Sequence, residues 1–172
     1  ARQGGELAEL SPETLKKLDG ILPPHWSHGN PVDILGDASA ERYGKALEIT
    51  LDDANADGML VLTAPQGLAE PTQIAELLKP FAHSTGKPIL SCFIGGAEVV
   101  AANTILNAAG IPTFQFPDTA TRAFTFMWRY SYNLRGLYET PTTQDTSDLP
   151  ADRTTAQRII RVKQTIPIGT AG

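Results

Sequence analysis

Three turns rich in glycine, proline and small polar residues are the places where this sequence could do chemistry. They span residues 30–38, 63–68 and 93–97, and each one precedes a stretch with helical periodicity. The first turn of a helix has N–H groups without a helical partner and a positive dipole end, and both favour a bound anion. Glycine lets a ligand approach the backbone closely. The same spacing is also typical of ordinary tight turns between a strand and a helix.

Several common kinds of site are absent from the sequence. It contains neither the glycine pattern of a dinucleotide site nor a P-loop, and no serine stands in a G-x-S-x-G elbow. His25 and His28 have no third metal ligand at a suitable spacing, so we interpret them as part of a solvated loop. Late in a predicted helix, His83 is interpreted as a partner of the helix dipole. Cys92 lies in an apolar run, which predicts a buried and unreactive thiol.

The elements that must position these turns alternate between short apolar runs and amphipathic helices. Strands are predicted at 6–10, 58–63, 88–93 and 111–116, and helices at 11–22, 38–55, 70–84, 98–109 and 118–137. This order predicts an α/β fold of the flavodoxin-like type, with a parallel sheet between two helical layers. In that architecture the first strand lies centrally, and nothing before Glu6 can supply it. We therefore expect a strand and a helix to precede Ala1 in a longer parent protein.

Composition limits the classes of protein to consider. The chain has 172 residues, 41% of them hydrophobic and 19% charged, which suits a globular domain with a core. Its net charge is −5 and its basic residues are scattered, so nucleic acid is not an expected partner. No run is apolar and long enough for a membrane helix, and a single cysteine suits a reducing compartment. These features predict a cytoplasmic protein that does not bind membranes.

The aromatic run at 124–132 is richer in large side chains than one buried helix face requires. Two interpretations stay open, because core packing explains part of the run and a contact with another domain would explain the rest.

An ordered set of motifs resembles the NDP-forming acyl-CoA synthetases, the relatives of succinyl-CoA synthetase. The motifs are N-P-V-D-I-L-G-D-A at 30–38, the strand that ends in T-A-P-Q at 63–66, F-I-G-G at 93–96, and G-I-P at 110–112 before F-P at 116–117. The resemblance covers residues 7–141 and is strongest to the third module, which corresponds to the C-terminal domain of the succinyl-CoA synthetase β-subunit.

The resemblance implies a reaction and several missing parts. In this family, acyl-CoA, phosphate and a nucleoside diphosphate become free acid, CoA and a nucleoside triphosphate through a phosphohistidine. That histidine belongs to a CoA-binding module and the nucleotide to an ATP-grasp module, so none of His25, His28 and His83 is assigned the role. The chain itself needs no cofactor, whereas CoA, ADP or ATP, and magnesium are expected for the full-length enzyme. The isolated chain is expected to be inactive.

The same resemblance implies which residues act. A helix N-terminus of this module faces the phosphohistidine, and backbone N–H groups around Gln66 and Gly67 would stabilise the phosphoryl group, which makes these two the predicted catalytic residues. Pro65 alters this turn because proline has no N–H. The predicted substrate- and phosphate-binding residues are Asn30, Asp33, Gly36, Asp37, Pro65, Gly95 and Gly96.

The resemblance also divides the chain and leaves alternatives. Residues 1–141 are predicted to form the N-terminally truncated ligase domain, and 142–172 a linker with a short helix at 152–164 that leads to a missing module. The expected partners are the CoA-binding and ATP-grasp modules, and the protein could also form a homo-oligomer. One alternative is an acyl-CoA-sensing regulatory domain of a protein acetyltransferase. Another is a non-catalytic flavodoxin-like interaction domain.

Overall fold

A computed structural model of the chain describes residues 5–64, 70–84, 86–138 and 157–158. The chain divides into two compact units, Ala1–Leu134 and Arg135–Gly172. The second unit is described only at the end of the last long helix and at residues 157–158. The linker predicted at 142–150 lies outside the described residues, as does nearly all of the helix predicted at 152–164.

Within the residues that the structure describes, two parallel strands form the sheet. Strand β1 is Met59–Thr63 and strand β2 is Ile89–Phe93. Met59 is opposite Ile89 and Thr63 is opposite Phe93, so the carboxyl ends of both strands meet at one edge. The architecture is thus α/β with a parallel sheet, as the alternating pattern predicts.

The helices of the described residues follow the predicted order. They are α1 Pro12–Asp19, α2 Ala40–Leu51, α3 Pro71–Leu78, α4 Val100–Ala108 and α5 Pro117–Tyr138. Ser11 and Ser39 cap α1 and α2 with their side-chain oxygens. A 3₁₀ segment continues α3 from Lys79 to His83, because Pro80 has no N–H to donate. Among these helices none is long and apolar enough to cross a membrane.

The strand predicted at 6–10 is wrong. The segment has no regular structure, and two of its carbonyl oxygens accept bonds from side chains distant in sequence. Asn30 Nδ2 donates to Ala8 O at 2.9 Å, and Asn55 Nδ2 donates to Glu9 O at 2.9 Å. The amides thus satisfy backbone groups that a neighbouring strand would otherwise bind.

The strand predicted at 111–116 is confirmed only as a single parallel bridge between Thr113 and Ser91. Ser91 N donates to Pro112 O at 3.0 Å and Phe114 N donates to Ser91 O at 2.8 Å. Pairing does not extend further because Pro112 has no N–H and the chain enters α5 at Pro117.

Helices α2, α3 and α4 cover one face of the sheet and form the main core with it. The buried members of this cluster include Leu47, Leu51, Val61, Ile74, Leu78, Ile89, Phe93 and Leu106. A second cluster joins α1, the following loop and α2 around Trp26, whose side chain is 2% exposed. Its indole N–H donates to Asp19 Oδ1 at 2.8 Å, which satisfies the buried polar atom. The two clusters set the position of α2, the helix that follows the first glycine-rich turn.

Asp53 connects the end of α2 to the start of α1 and is only 2% exposed. Ser11 N donates to its Oδ2 at 2.8 Å and Asn55 N donates to its Oδ1 at 2.8 Å. Burial by itself would raise the pKa of Asp53, but hydrogen bonds from Thr14, Asn55 and Ser11 together outweigh it and lower the pKa to about 2. The ionised form is therefore favoured by the folded state.

We expect Asp53→Asn to lower the free energy of unfolding at pH 7 by about 2–3 kcal/mol, because a pKa lowered by nearly two units stabilises the fold by about 1.4 kcal/mol per unit. The folded pKa lies below the unfolded value near 3.8, so this stability is complete above about pH 4 and is lost as the pH falls towards 2. Urea denaturation between pH 2 and 7 would measure it. The exposed Asp57→Asn is the control, and an equal loss in both variants would contradict the assignment.

Candidate functional site

The second and third glycine-rich turns begin side by side at the carboxyl edge of the sheet. Ile94 N donates to Thr63 O at 2.7 Å, just beyond the last paired residues of β1 and β2. In open α/β sheets this edge is where ligands bind, since the turns that connect strands to helices gather there. The structure thus brings the first residues of two of the three candidate turns together.

Helix α2 brings the first turn to the same edge. Thr63 Oγ1 donates to Tyr43 Oη at 2.6 Å, and Thr63 is 4% exposed. Arg42, one residue earlier in α2, donates from Nη1 to Ile34 O at 3.1 Å and to Asp37 Oδ1 at 2.7 Å. The first turn is therefore held to the N-terminal end of α2, and α2 is held to the end of β1.

The polar residues predicted in the first turn all bind within the chain. Asn30 donates to Ala8 O, Asp33 Oδ1 accepts from Leu35 N at 2.9 Å, and Asp37 pairs with Arg42. Leu35 has a φ of 70°, a left-handed conformation that the hydrogen bond from its N–H to the Asp33 side chain supports. Gly36 is exposed beside them. In this conformation Asn30, Asp33 and Asp37 shape the turn.

The predicted residues of the second turn, Pro65, Gln66 and Gly67, lie outside the described residues. The turn connects Ala64 with Glu70, and α3 begins at Pro71. Glu70 stands at the N-cap but makes no capping bond with its side chain. The chain therefore enters a helix directly after this turn, as the pattern predicts.

Gly95 and Gly96 follow β2 and are both exposed. A Cβ built on Gly96 would have no atom within 4 Å, so the space next to this backbone is open. The following 3₁₀ segment, Ala97–Val99, leads into α4. An open backbone at the carboxyl edge suits the close approach of an anionic group.

A groove of about 630 Å³ lies between α2 and α3. Its lining includes Ser39, Glu41, Thr72, Gln73, Glu76 and Leu77. Two glutamates make it a poor fit for a phosphate. None of the predicted binding residues lines it, although Ser39, Glu41 and Thr72 belong to the N-terminal turns of α2 and α3 next to the carboxyl edge.

His28 and Cys92 have structural surroundings within the fold. His28 Nδ1 lies 2.9 Å from Asp19 Oδ1, and its Nε2 lies 3.0 Å from Pro24 O. Burial, and after it the charge of Asp118, raises the pKa of the Cys92 thiol, which is 0% exposed. The prediction of a buried cysteine is confirmed. Within the described part of the chain, no three His, Cys, Asp or Glu side chains are grouped so that they could hold a metal ion.

Sequence reasoning missed the residues that assemble the edge. No role at the site was predicted for Tyr43 and Arg42, yet they connect α2 to Thr63 of β1 and to the first turn. Tyr43 carried a usable signal, because a tyrosine at an inward position of a helix needs a partner for its hydroxyl.

Comparisons with known proteins agree with this arrangement. The family model of the Ligase-CoA domain matches residues 1–133. An acetate–CoA ligase (ADP-forming) I of Archaeoglobus fulgidus is 42% identical over 128 residues, which cover 74% of this chain and 18% of the relative. The alpha subunit of acetate–CoA ligase (ADP-forming) II of Pyrococcus furiosus is 30% identical over 139 residues, or 78% of this chain and 30% of that subunit. The chain thus spans less than a third of either relative.

A solved structure is similar as well. The acetyl-coenzyme A synthetase 1 of Candidatus Korarchaeum cryptofilum, determined in complex with phosphate and ADP, has a TM-score of 0.65 and 27% identity. The similarity covers 72% of this chain and 27% of that protein.

Proposed function

Because the chain belongs to the Ligase-CoA domain family, we propose that it is the CoA-ligase module of a larger NDP-forming acyl-CoA synthetase. The proposed overall reaction converts acyl-CoA, phosphate and a nucleoside diphosphate into free acid, CoA and a nucleoside triphosphate. The observation that carries it is the 42% identity to an ADP-forming acetate–CoA ligase across 74% of the chain. CoA, ADP or ATP, and magnesium would be substrates and cofactor of the whole protein.

The proposed contribution of this module is electrostatic. Backbone N–H groups around Gln66 and Gly67 would donate to a phosphoryl group that another module carries on a histidine. Such donors matter most where charge develops, and each contributes on the order of 1–2 kcal/mol in a partly buried site. The adjoining Gly95 and Gly96 would flank the same group, and the Tyr43–Thr63 bond would hold β1 and α2 in place beneath it.

The other modules remain partners in this proposal. A CoA-binding module with the phosphohistidine and an ATP-grasp module would be supplied by the same protein or complex, and the enzyme would work in the cytoplasm. The acetyltransferase-sensor alternative is not favoured, since the relatives are named as ligases.

The test is turnover of the full-length parent protein with acetyl-CoA, phosphate and ADP, together with phosphate labelling of its histidine. Gly96→Ala is expected to lower turnover by about tenfold, because a methyl group would enter the open space where the phosphoryl group approaches the backbone. Gly44→Ala in α2 is the matched control, because its added Cβ would lie at an ordinary contact distance of 3.9 Å from Leu77 Cβ in α3.

Thermal melts of both variants separate misfolding from lost function. A parent protein that neither turns over nor labels its histidine would reject the ligase proposal. If Gly96→Ala matches the control, the ligase can stand but the phosphate is not at this edge.

A further inference from the structure

Helix α5 is apolar on two of its sides. Its N-terminal half is buried through Ala120 and Thr125, which are 1% and 7% exposed. Phe124 packs so closely on Gly58 that a Cβ there would lie 2.5 Å from ring atom Cε2. Phe126 and Tyr130, in contrast, are 67% and 68% exposed. Since each helical residue turns by about 100°, these two lie on a different side from Phe124 and Thr125.

From Phe126 to Tyr138 every residue of α5 is exposed, and one apolar row along this half forms a continuous stripe. Phe126, Tyr130 and Leu134 recur every fourth residue, and Met127 lies beside them. Met127 and Leu134 are 45% and 36% exposed. We call these four residues the α5 stripe. Single exposed apolar residues are ordinary, but a contiguous apolar helix face indicates a surface that packs against another element.

The edge of the α5 stripe is positively charged. Arg122 and Arg129 are seven residues apart, two helical turns, and therefore lie on one side of the stripe. Neither forms an ion pair within the part of the chain that the structure describes. The one acidic residue of α5 is Asp118, in its first turn. This local charge is opposite in sign to the net charge of −5 of the whole chain.

From these observations we infer that the α5 stripe binds an amphipathic helix of another module, whose apolar seam is edged by aspartate and glutamate. The stripe supplies the 3–4 spacing that helix packing uses, and the two arginines select carboxylates along one edge. A second copy of α5 fits poorly, because antiparallel pairing would bring Arg122 and Arg129 of both copies together.

The charge pattern allows a sharp test with two synthetic peptides. Both are helical, with the same leucine seam, and one is edged with glutamate and the other with lysine. Binding to the chain is followed by fluorescence anisotropy of the labelled peptide. We expect the glutamate-edged peptide to bind about tenfold more tightly, because it matches the arginine edge. Attraction to the net negative charge alone would favour the lysine-edged peptide instead.

Substitutions inside and outside the α5 stripe test whether the peptide binds there. Tyr130→Ser should remove binding, and Arg129→Glu should reverse the preference between the peptides. Lys17→Glu, exposed on α1, is the control that should leave both unchanged. Thermal melts confirm that each variant is folded. The inference needs no enzyme turnover, so its failure is distinct from failure of the ligase proposal.

Three outcomes would overturn the inference. The first is equal or absent binding of the two peptides. The second is a concentration-dependent dimer in sedimentation that Tyr130→Ser abolishes, which would make the stripe a contact between copies. The third is binding to phosphatidylserine-containing vesicles that exceeds binding to the glutamate-edged peptide.

Discussion

Gly67→Pro in the full-length parent protein is expected to lower ligase turnover by about 30-fold, the effect of removing one preorganised donor that contributes about 2 kcal/mol where charge develops. Proline has no N–H, and its ring also restricts the residue before it. Under the proposed function, the turn at 63–68 stabilises the phosphoryl group through its backbone. A variant that removes a backbone donor should therefore act mainly on turnover.

Gln66→Ala is the matched variant, since it deletes a neighbouring side chain and keeps its backbone N–H. We expect its turnover to stay within about tenfold of the wild type, because the donors are assigned to the main chain. Steady-state rates with acetyl-CoA, phosphate and ADP, with histidine labelling alongside, measure both effects. A larger loss in Gln66→Ala than in Gly67→Pro would move the role to the glutamine side chain. No loss in either variant would remove this turn from the site.

The second large effect is a loss of stability when a buried side chain of α3, the helix that follows this turn, is shortened. Leu78 at the end of α3 is 0% exposed and belongs to the main cluster with Leu51 and Ile74. Leu78→Ala should lower the free energy of unfolding by about 3 kcal/mol, because the loss of buried methylene groups is added to the cost of the cavity. For a chain of this size the melting temperature should fall by about 9 °C.

Leu77 provides the control at the adjacent position. It is 43% exposed, and Leu77→Ala should cost less than about 1 kcal/mol because little buried surface is lost. Chemical denaturation of the two variants gives the comparison directly. Equal losses would mean that α3 does not pack in the orientation described. Leu78→Ala should leave the turnover of the parent protein near normal well below its melting temperature.

Much of the site's framework was predictable from local signals. The serines at positions 11 and 39 predict the N-termini of α1 and α2. The apolar runs at 58–63 and 88–93 form β1 and β2. Since parallel strands end at one edge, the glycine-rich turns could be expected to meet there. The bond between Ile94 N and Thr63 O confirms this for two of them. The roles of Gln66 and Gly67 stay predictions, because both lie outside the described residues.

The strand predicted at 6–10 failed because its backbone has hydrogen-bond partners far away in the sequence. The apolar alternation at 6–10 suits a strand. However, the side-chain amides of Asn30 and Asn55 donate hydrogen bonds to the carbonyl oxygens of Ala8 and Glu9. A pattern within five residues contains no information about such a partner, whereas backbone groups must bind whatever the packed chain brings to them. Local propensity gives way wherever tertiary contacts satisfy the backbone better.

By itself, the sequence determined the family, the alternation of strands and helices, and the edge of the sheet where the turns gather. Its caps and apolar periods act over a few residues, so they can be recognised without coordinates. Only the tertiary structure decided that Tyr43 bonds to Thr63, that Asp53 joins α1 to α2, and that Phe124 of α5 packs on Gly58. These contacts depend on how whole elements pack, because each joins groups that no local pattern relates.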